Sequence, residues 1–495
     1  MSSIRNLKEN PFATYSAEED IEYLKSIYYE PRYYRELRDN AINGSSRILV
    51  GQRGLGKSAT IHFLFNDLKE RATLPLLITR YDGIPLVNNE NYFLYKIMQS
   101  LSNEVALHLF RDPSRRRKLN STHKKRLAFF IELFYDPETA KYYYEKAKEI
   151  KKAKRRHFFC LLHNRFFKTV NLILDGVANF GSDIIRQSIG LDGVKIQNAV
   201  REYFKELKLP EIKNARIETV ASWDKERLKS LLEQIIEIAN TIGYKSIVVL
   251  FDKIDEFKDV NSDVNKVADF AKDVLQDTEL LYTKNLSIIF SLWSDVKRTL
   301  NKQNVRLDKF KDIEIEWQYD ELERLIDKRL YYYSVIKSQA VTLETLIPND
   351  LSRHQVLELA DYSPRSLIRL LSELYYQEEG DDVVNFSPGT LSKGLLKFCQ
   401  NFDYYSLQSN RIGGKSDYYQ WINKVLLIKR AGFTYKDVAN TFNIKENIAN
   451  KYIGEMLKLN LIKESIMPDV NGERMFEVVD PRIKFLMSRG VTELK

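Results

Sequence analysis

Eight residues constrain this chain more than any other stretch: Gly51-Gln52-Arg53-Gly54-Leu55-Gly56-Lys57-Ser58. They follow Ser46-Arg47-Ile48-Leu49-Val50, an apolar run that reads as a short buried strand. They precede Ala59 to Glu70, where Ile61, Leu64, Phe65 and Leu68 share one helical face. Strand, glycine-rich loop and helix form the setting in which the pattern GxxxxGK[ST] has a physical meaning. Glycines let main-chain N–H groups converge on a polyphosphate with no Cβ in the way, and the helix behind them presents its positive end. On this reading the stretch from Gly51 to Ala59 cradles the phosphates of ATP. Lys57 neutralises the β- and γ-phosphate oxygens, and Ser58 ligates Mg²⁺. The competing reading is a bare strand-to-helix turn. The fixed positions arise by chance in about one chain in fifty of this length, before the flanking elements are counted, so phosphate binding is preferred.

A magnesium ion in such a loop needs hard oxygen ligands from a neighbouring strand. Ser246-Ile247-Val248-Val249-Leu250-Phe251 is the best candidate, a β-rich run that stops at Asp252-Lys253-Ile254-Asp255-Glu256. Asp252, at the strand tip, would hold the metal through its water shell, and Asp255 or Glu256 would polarise an attacking water as general base. The alternative for Asp255 and Glu256 is that they cap the following helix.

At 495 residues the chain is long enough for about three domains and a sizeable core. With 44% hydrophobic and 29% charged residues it has the composition of ordinary globular protein. No apolar stretch approaches membrane-spanning length, the N-terminus lacks an apolar signal core, and Cys160 and Cys399 have no metal-ligand spacing. The expectation is a cytoplasmic protein with no membrane partner. Six scattered histidines suggest no effector chemistry.

The formal charge of +9 is unevenly spread. Residues 111 to 126 hold eight bases against Asp112, and residues 146 to 156 hold seven against Glu149. These runs carry a net +13, leaving −4 for the rest. A local positive field suits phosphates or an acidic protein, and solvated helix faces are the competing reading. Phe129, Phe130, Tyr142, Tyr143, Tyr144, Phe158 and Phe159 lie nearby and can stack on bases or pack a core.

Together the loop and the Asp252–Glu256 segment resemble those of AAA+ and STAND-type P-loop ATPases, in the branch similar to origin-recognition-type initiators and bacterial STAND-like ATPases. The resemblance spans about residues 10 to 375, less a basic insertion. It departs from initiators at Lys253, where they place an acid directly after the first Asp, and this leaves the catalytic carboxylate open. The resemblance implies several further roles. Asn285 to Ser291 is the next core strand, with Ser291 or Ser294 sensing the γ-phosphate. Arg306 stands where an arginine finger would reach into a neighbouring subunit. Leu322 to Leu330, with Arg329, begins a helical lid, and Ser363-Pro364-Arg365 starts a sensor helix that aims Arg365 at the phosphates. For Arg306 and Arg365 a surface ion pair is the other reading. Asn10-Pro11-Phe12 and Tyr28-Tyr29-Glu30-Pro31-Arg32-Tyr33-Tyr34 resemble the stretch that wraps the adenine, although packing of the N-terminal helix is preferred for these aromatics.

Lys57 and Asp252 are 195 residues apart, more than βαβ units and the strand at 74 to 81 would fill. The surplus, 108 to 220, reads as a helical basic insertion, with Gly176, Gly181, Gly190 and Gly193 between helices. After a linker at Gly413-Gly414-Lys415-Ser416, three helices (from Tyr419, Thr434 and Lys445) and two strands (461 to 466 and 475 to 479) resemble a winged helix. Its candidate reading helix offers Lys445, Asn447, Asn450 and Lys451 but no arginine, and residues 418 to 495 net only +4, which tilts the expectation slightly toward a protein-facing role.

The expected fold is therefore α/β, a P-loop NTPase parallel sheet with a large helical insertion, a helical lid and a C-terminal winged helix. The expected boundaries are 1–107 and 221–317 for the two parts of the core, 108–220 for the insertion, 318–410 for the lid and 411–495 for the winged helix. The expected function is an ATP- and Mg²⁺-dependent switch that oligomerises and acts on DNA, RNA or an effector protein. The alternative is a nucleotide-gated DNA-binding initiator or regulator. Among bacterial proteins of this resemblance, roles in anti-phage defence are frequent.

Overall fold

A parallel sheet of five strands forms around the long apolar runs. They are β1 (Arg47–Val50), β2 (Thr73–Ile78), β3 (Ser246–Phe251), β4 (Leu286–Leu292) and β5 (Asp312–Glu314), in the spatial order β2-β3-β4-β1-β5. The computed structural model describes residues 4–134, 223–307, 311–379, 382–407, 414–466 and 472–494. All four strand pairings are parallel. β3 and β4 are buried along their whole length, as parallel strands covered on both faces must be. Alternate residues feed two cores. Leu49, Val248 and Leu250 face one, and Ile48, Val50, Ile247, Val249 and Phe251 face the other.

The first face is covered by α2 (Arg32–Ile42) and α3 (Lys57–Lys69), through Leu37, Ala41, Ile61, Leu64 and Leu68. A short helix, α1 (Leu24–Ile27), precedes them. The second face is covered by α4 (Glu90–Arg111), α6 (Lys225–Thr241) and α7 (Val264–Gln276). In α6, Leu228, Leu231, Leu232, Ile235 and Ile236 recur at helical spacing and are all buried. In α7 the Asp263 carboxylate accepts from the N–H groups of Asn265 and Lys266. α8 (Ser294–Lys302) follows β4.

The strand expected at 74 to 81 ends at Ile78. Tyr81 turns back instead, its hydroxyl donating to the carbonyls of Ile78 (3.0 Å) and Asp252 (2.7 Å). Part of the expected insertion packs on the sheet domain. α5 (Ser121–Phe134) lies against α4 and α6, with Leu119, Leu127, Phe130 and Phe134 in the second core. Arg115 pairs with Asp112 at 3.2 Å and Arg126 with Glu237 at 3.0 Å, so part of the first basic run is neutralised locally. The second basic run, the aromatics at 142–144, 158 and 159, and the four glycines from Gly176 to Gly193 lie outside the described residues.

Beyond β5 come α9 (Tyr319–Tyr333), α10 (Asp350–Ala360), α11 (Pro364–Gln377) and α12 (Pro388–Gln400). The expected linker is shorter than its composition suggests, because Lys415 and Ser416 already belong to α13 (Lys415–Ile428). Asp417 accepts from the N–H of Gly414 at 3.3 Å and fixes that start. Thr434 and Asp437 form a capping box on α14 (Tyr435–Phe442), which Asn443 ends in the left-handed region at φ 52°. α15 (Glu446–Lys458) follows. β7 (Ile462–Glu464) and β8 (Met475–Val478) pair antiparallel as expected.

Two elements were not anticipated. β6 (Gly432–Thr434) adds a third strand alongside β8, and α16 (Pro481–Ser488) closes the module. Three residues are too few to show a period, whereas Asp480-Pro481 is a helix-start signal that the sequence carried. Lys445, Asn447, Asn450 and Lys451 are exposed. Among the described residues no helix is long and apolar enough to cross a membrane.

Candidate functional site

The loop from Gly51 to Gly56 leaves β1 and enters α3 through two left-handed glycines, Gly54 (φ 84°) and Gly56 (φ 92°). That conformation penalises any residue with a Cβ, which is why glycines stand there. No side chain caps α3, so its first N–H groups stay available to an anion. β1 and β3 are separated by one strand, β4, which sets their tips about 10 Å apart. Ligands in open parallel sheets bind in such a crevice beyond the carboxyl ends of the strands.

Asp252 ends β3 almost wholly buried, at 2% exposure, with its Oδ2 lacking a hydrogen-bond partner. A buried carboxylate oxygen without a donor is costly unless something else meets it, and together with the Ser58 hydroxyl it offers hard oxygens that fit Mg²⁺. Lys57 Nζ donates to the carbonyls of Gly51 (2.8 Å) and Gln52 (2.9 Å). Burial lowers its ammonium to about 8, against the opposing pull of Asp255 and Asp252, while Arg53 and Arg365 add to the lowering.

The two candidate bases part company. The Asp255 side chain is 17% exposed and lies 3.9 Å from Arg53. Burial holds its carboxyl above the ordinary value, although Lys57 and Arg53 draw it down. Glu256 is 61% exposed and lies 3.9 Å from Lys253 on the same turn. Burial and then Asp255 raise its carboxyl. Neither residue caps α7, a task that falls to Asp263. Lys253 is held in the left-handed region at φ 60° and forms a 2.6 Å ion pair with Glu18 from the N-terminal segment.

These groups border a cavity of about 640 Å³ whose walls include Arg53, Gly54, Gly56, Lys57, Ser58, Ala59, Asp252, Asp255, Glu256 and Ser291. Its far wall is the start of α11. Ser363 caps that helix, and both the Ser363 hydroxyl and the Arg365 N–H donate to the Gly54 carbonyl at 3.3 Å. Arg365 and Arg369 line the cavity.

Three of the expected loop ligands do not. Gly51 is packed against Ile315, Gln52 contributes its carbonyl to Lys57, and the Leu55 carbonyl accepts from Trp317 Nε1 at 3.0 Å. Ser294 opens α8 and is likewise absent from the lining. Arg306 is exposed before β5 and does not border this cavity.

The N-terminal aromatics mostly pack, as preferred from the sequence. Phe12, Tyr28 and Tyr34 are buried in the first core, and the hydroxyls of Tyr28 and Tyr33 each lie 2.9 Å from Thr60 Oγ1. Tyr28 and Tyr29 both border the cavity, and Tyr29 lies beside Trp317 with ring centroids 6.4 Å apart.

Sequence reasoning missed three contacts here. Arg329 is buried and ties the N-terminal segment to α9, donating to Asp20 (2.7 Å) and to the Thr14 carbonyl (2.9 Å). Glu18 reaches Lys253, and no local pattern announces it. Trp293 stacks on Arg53, its centroid 3.7 Å from the guanidinium carbon, and its place directly after β4 was the available signal.

No family model and no curated protein matches the chain. Among solved structures it is similar to the ORC1 protein of Aeropyrum pernix in complex with DNA, with 9% identity, 94% of each chain covered and a TM-score of 0.35. It is also similar to a Walker-type ATPase of Pyrococcus abyssi, with 11% identity, 98% of each chain covered and a TM-score of 0.40. A third is the ORC2 protein of Aeropyrum pernix in ADPNP–ADP complexes, with 9% identity, 96% of this chain and 92% of that one covered, and a TM-score of 0.40. At such values the functional reading rests on this chain's own geometry. The chain has an α/β fold built on a five-stranded parallel sheet, with a glycine-rich loop after β1 and an acid after β3, and the solved structures it is similar to include ORC proteins.

Proposed function

We propose that the chain binds ATP across Gly54 to Ala59 and hydrolyses it, as a switch whose state is read by a partner. The observation that carries this is the cavity itself, with an uncapped helix start and Lys57 on one side and the partnerless Asp252 oxygen on the other. The loop N–H groups and Lys57 bind the phosphates, and Arg365 lies on the same side with α11. Ser58 and Asp252 would hold Mg²⁺, which supplies charge neutralisation between the β- and γ-phosphates when bound. Asp255 accepts a proton from water as the water oxygen bonds to the γ-phosphorus. The bond from that phosphorus to the bridging oxygen breaks, giving ADP and phosphate. Both carboxylates border the cavity, and the lower exposure of Asp255, 17% against 61% for Glu256, favours it as the base. Tyr29 and Trp317 supply an apolar wall for the adenine.

The test is calorimetric titration of ATP and ADP with Mg²⁺ into the full chain and its Lys57→Ala variant. Binding that is lost in the variant supports the reading, and equal affinity in both would remove it.

Oligomerisation with Arg306 serving a neighbouring copy belongs to the same proposal, as does the division of the chain at 107, 220, 317 and 410. A nucleotide-gated DNA-binding regulator is the second reading, and the exposed Lys445, which precedes α15, with Asn447, Asn450 and Lys451 on it, favours that reading. It requires duplex affinity that falls steeply with salt. An RNA or effector-protein partner would bind without that duplex preference.

A further inference from the structure

Arg53 occupies an unusual place in the loop. Its guanidinium lies over the indole of Trp293, which is itself 5% exposed, with 3.7 Å from the guanidinium carbon to the ring centroid. The same group stands 3.9 Å from the Asp255 carboxylate, within range of charge attraction but beyond a hydrogen bond. It borders the cavity together with Lys57, Ser58 and Arg365, and keeps 28% of its side chain exposed.

Stacking uses the flat face of a guanidinium, while its N–H edge is the part that makes a planar, two-point contact with an oxyanion. Trp293 thus offers a fixed plate beneath the guanidinium, and both residues border the cavity. The contact with Asp255 is longer than a hydrogen bond, so a phosphate oxyanion offering a two-point contact can compete with it for the guanidinium. Of the other two arginines expected at the phosphates, Arg365 borders the cavity from α11 and Arg306 does not.

We propose that Arg53 reads the terminal phosphate in cis. Its guanidinium exchanges the Asp255 carboxylate for γ-phosphate oxygens, so that one chain tells ATP from ADP and frees its base only when the triphosphate is in place. This rests on the reading of the cavity as a nucleotide site and adds a specificity-determining residue to it. ADP offers no γ-phosphate, and with it Arg53 stays with Asp255. Trp293 is a positioning residue in this scheme, acting only through Arg53.

The experiment compares ATP and ADP affinities, with Mg²⁺, in the wild-type full chain and in the Arg53→Gln, Arg53→Lys and Trp293→Leu variants, together with turnover at protein concentrations low enough to hold a single chain. In Arg53→Gln, ADP affinity stays within about threefold while the preference for ATP over ADP falls about tenfold or more, as for loss of a charge-assisted two-point contact. Turnover falls about 100-fold, on the scale of removing a preorganised transition-state donor. Arg53→Lys keeps the charge but not the fork and lies between, and Trp293→Leu moves the ratio in the same direction by less. Arg53→Lys also guards against misfolding, since it preserves a cation at the site. If wild type binds both nucleotides and the folded variants keep its ATP-to-ADP preference, the proposal is overturned while the nucleotide reading survives. If wild type binds neither nucleotide, both fall together.

Discussion

The main-chain N–H of Arg365 donates to the carbonyl of Gly54 across 3.3 Å, joining the first turn of α11 to the turn of the glycine loop. The Ser363 hydroxyl reaches the same oxygen. α11 therefore cannot swing without changing the loop that would hold the phosphates, and a change in the loop is felt at α11.

This junction makes Gly54 the sterically demanding glycine. A Cβ there would lie 2.8 Å from Ser363 Oγ and would sit on a backbone with φ 84°, whereas a Cβ at Gly56 meets nothing within 4 Å. Gly54→Ala should cost about 2–3 kcal/mol, combining the left-handed penalty with a displaced cap, and Gly56→Ala about 1–2 kcal/mol from the backbone alone. Urea denaturation of both variants measures the difference, and equal losses would contradict the contact.

Asp255 and Glu256 are adjacent in sequence and differ in exposure, which separates their variants. Asp255→Asn should reduce ATP turnover by about 10²- to 10⁴-fold, the range for a general base, with ATP affinity kept. Glu256→Gln, with its side chain mostly in solvent, should stay within severalfold of wild type. Steady-state phosphate release on both variants decides it.

The buried ammonium of Lys57 predicts a pH dependence. In the empty site it titrates at about 8, and bound phosphates raise that value because they favour the charged form. Affinity for ATP should be full below about pH 8 and fall above it by up to about tenfold per pH unit, with a proton taken up on binding. Titration calorimetry at pH 7 and pH 9, in buffers of differing ionisation enthalpy, shows the uptake at the higher pH and little at the lower.

Arg482 ties the C-terminal module to the helices that follow β5. It is 1% exposed, pairs with Asp480 at 2.6 Å and Asp361 at 3.4 Å, and stacks at 3.8 Å on Phe402. Arg482→Met should destabilise by about 3 kcal/mol, toward the low end for breaking a buried pair because Asp361 is half open to solvent. Faster proteolysis between residues 402 and 414, alongside a lower melting temperature, would mark release of the module.

Cys399 is buried, and burial pushes its thiol up to about 12. In a Cys160→Ser background the native chain should react with a disulfide reagent at pH 8 at least about a hundredfold more slowly than after unfolding, since the thiolate is the nucleophile. Spectrophotometric thiol titration measures both rates.

Local information determined much of this protein. The strand, loop and helix around Gly51 to Ser58 were legible because a run of apolar residues, then glycines, then a 3.6-residue period are properties of neighbouring residues. The helix start at Thr434 was legible for the same reason. Tertiary structure alone decided the rest. It set β4 between β1 and β3 so that Asp252 and Lys57, 195 residues apart, border one cavity, and it left the Asp255 side chain mostly buried and that of Glu256 mostly exposed. It brought Glu18 to Lys253, Arg329 to Asp20 and Arg53 onto Trp293. Such contacts depend on which face of the sheet each distant segment covers, and burial rewards that choice only once the whole core has assembled.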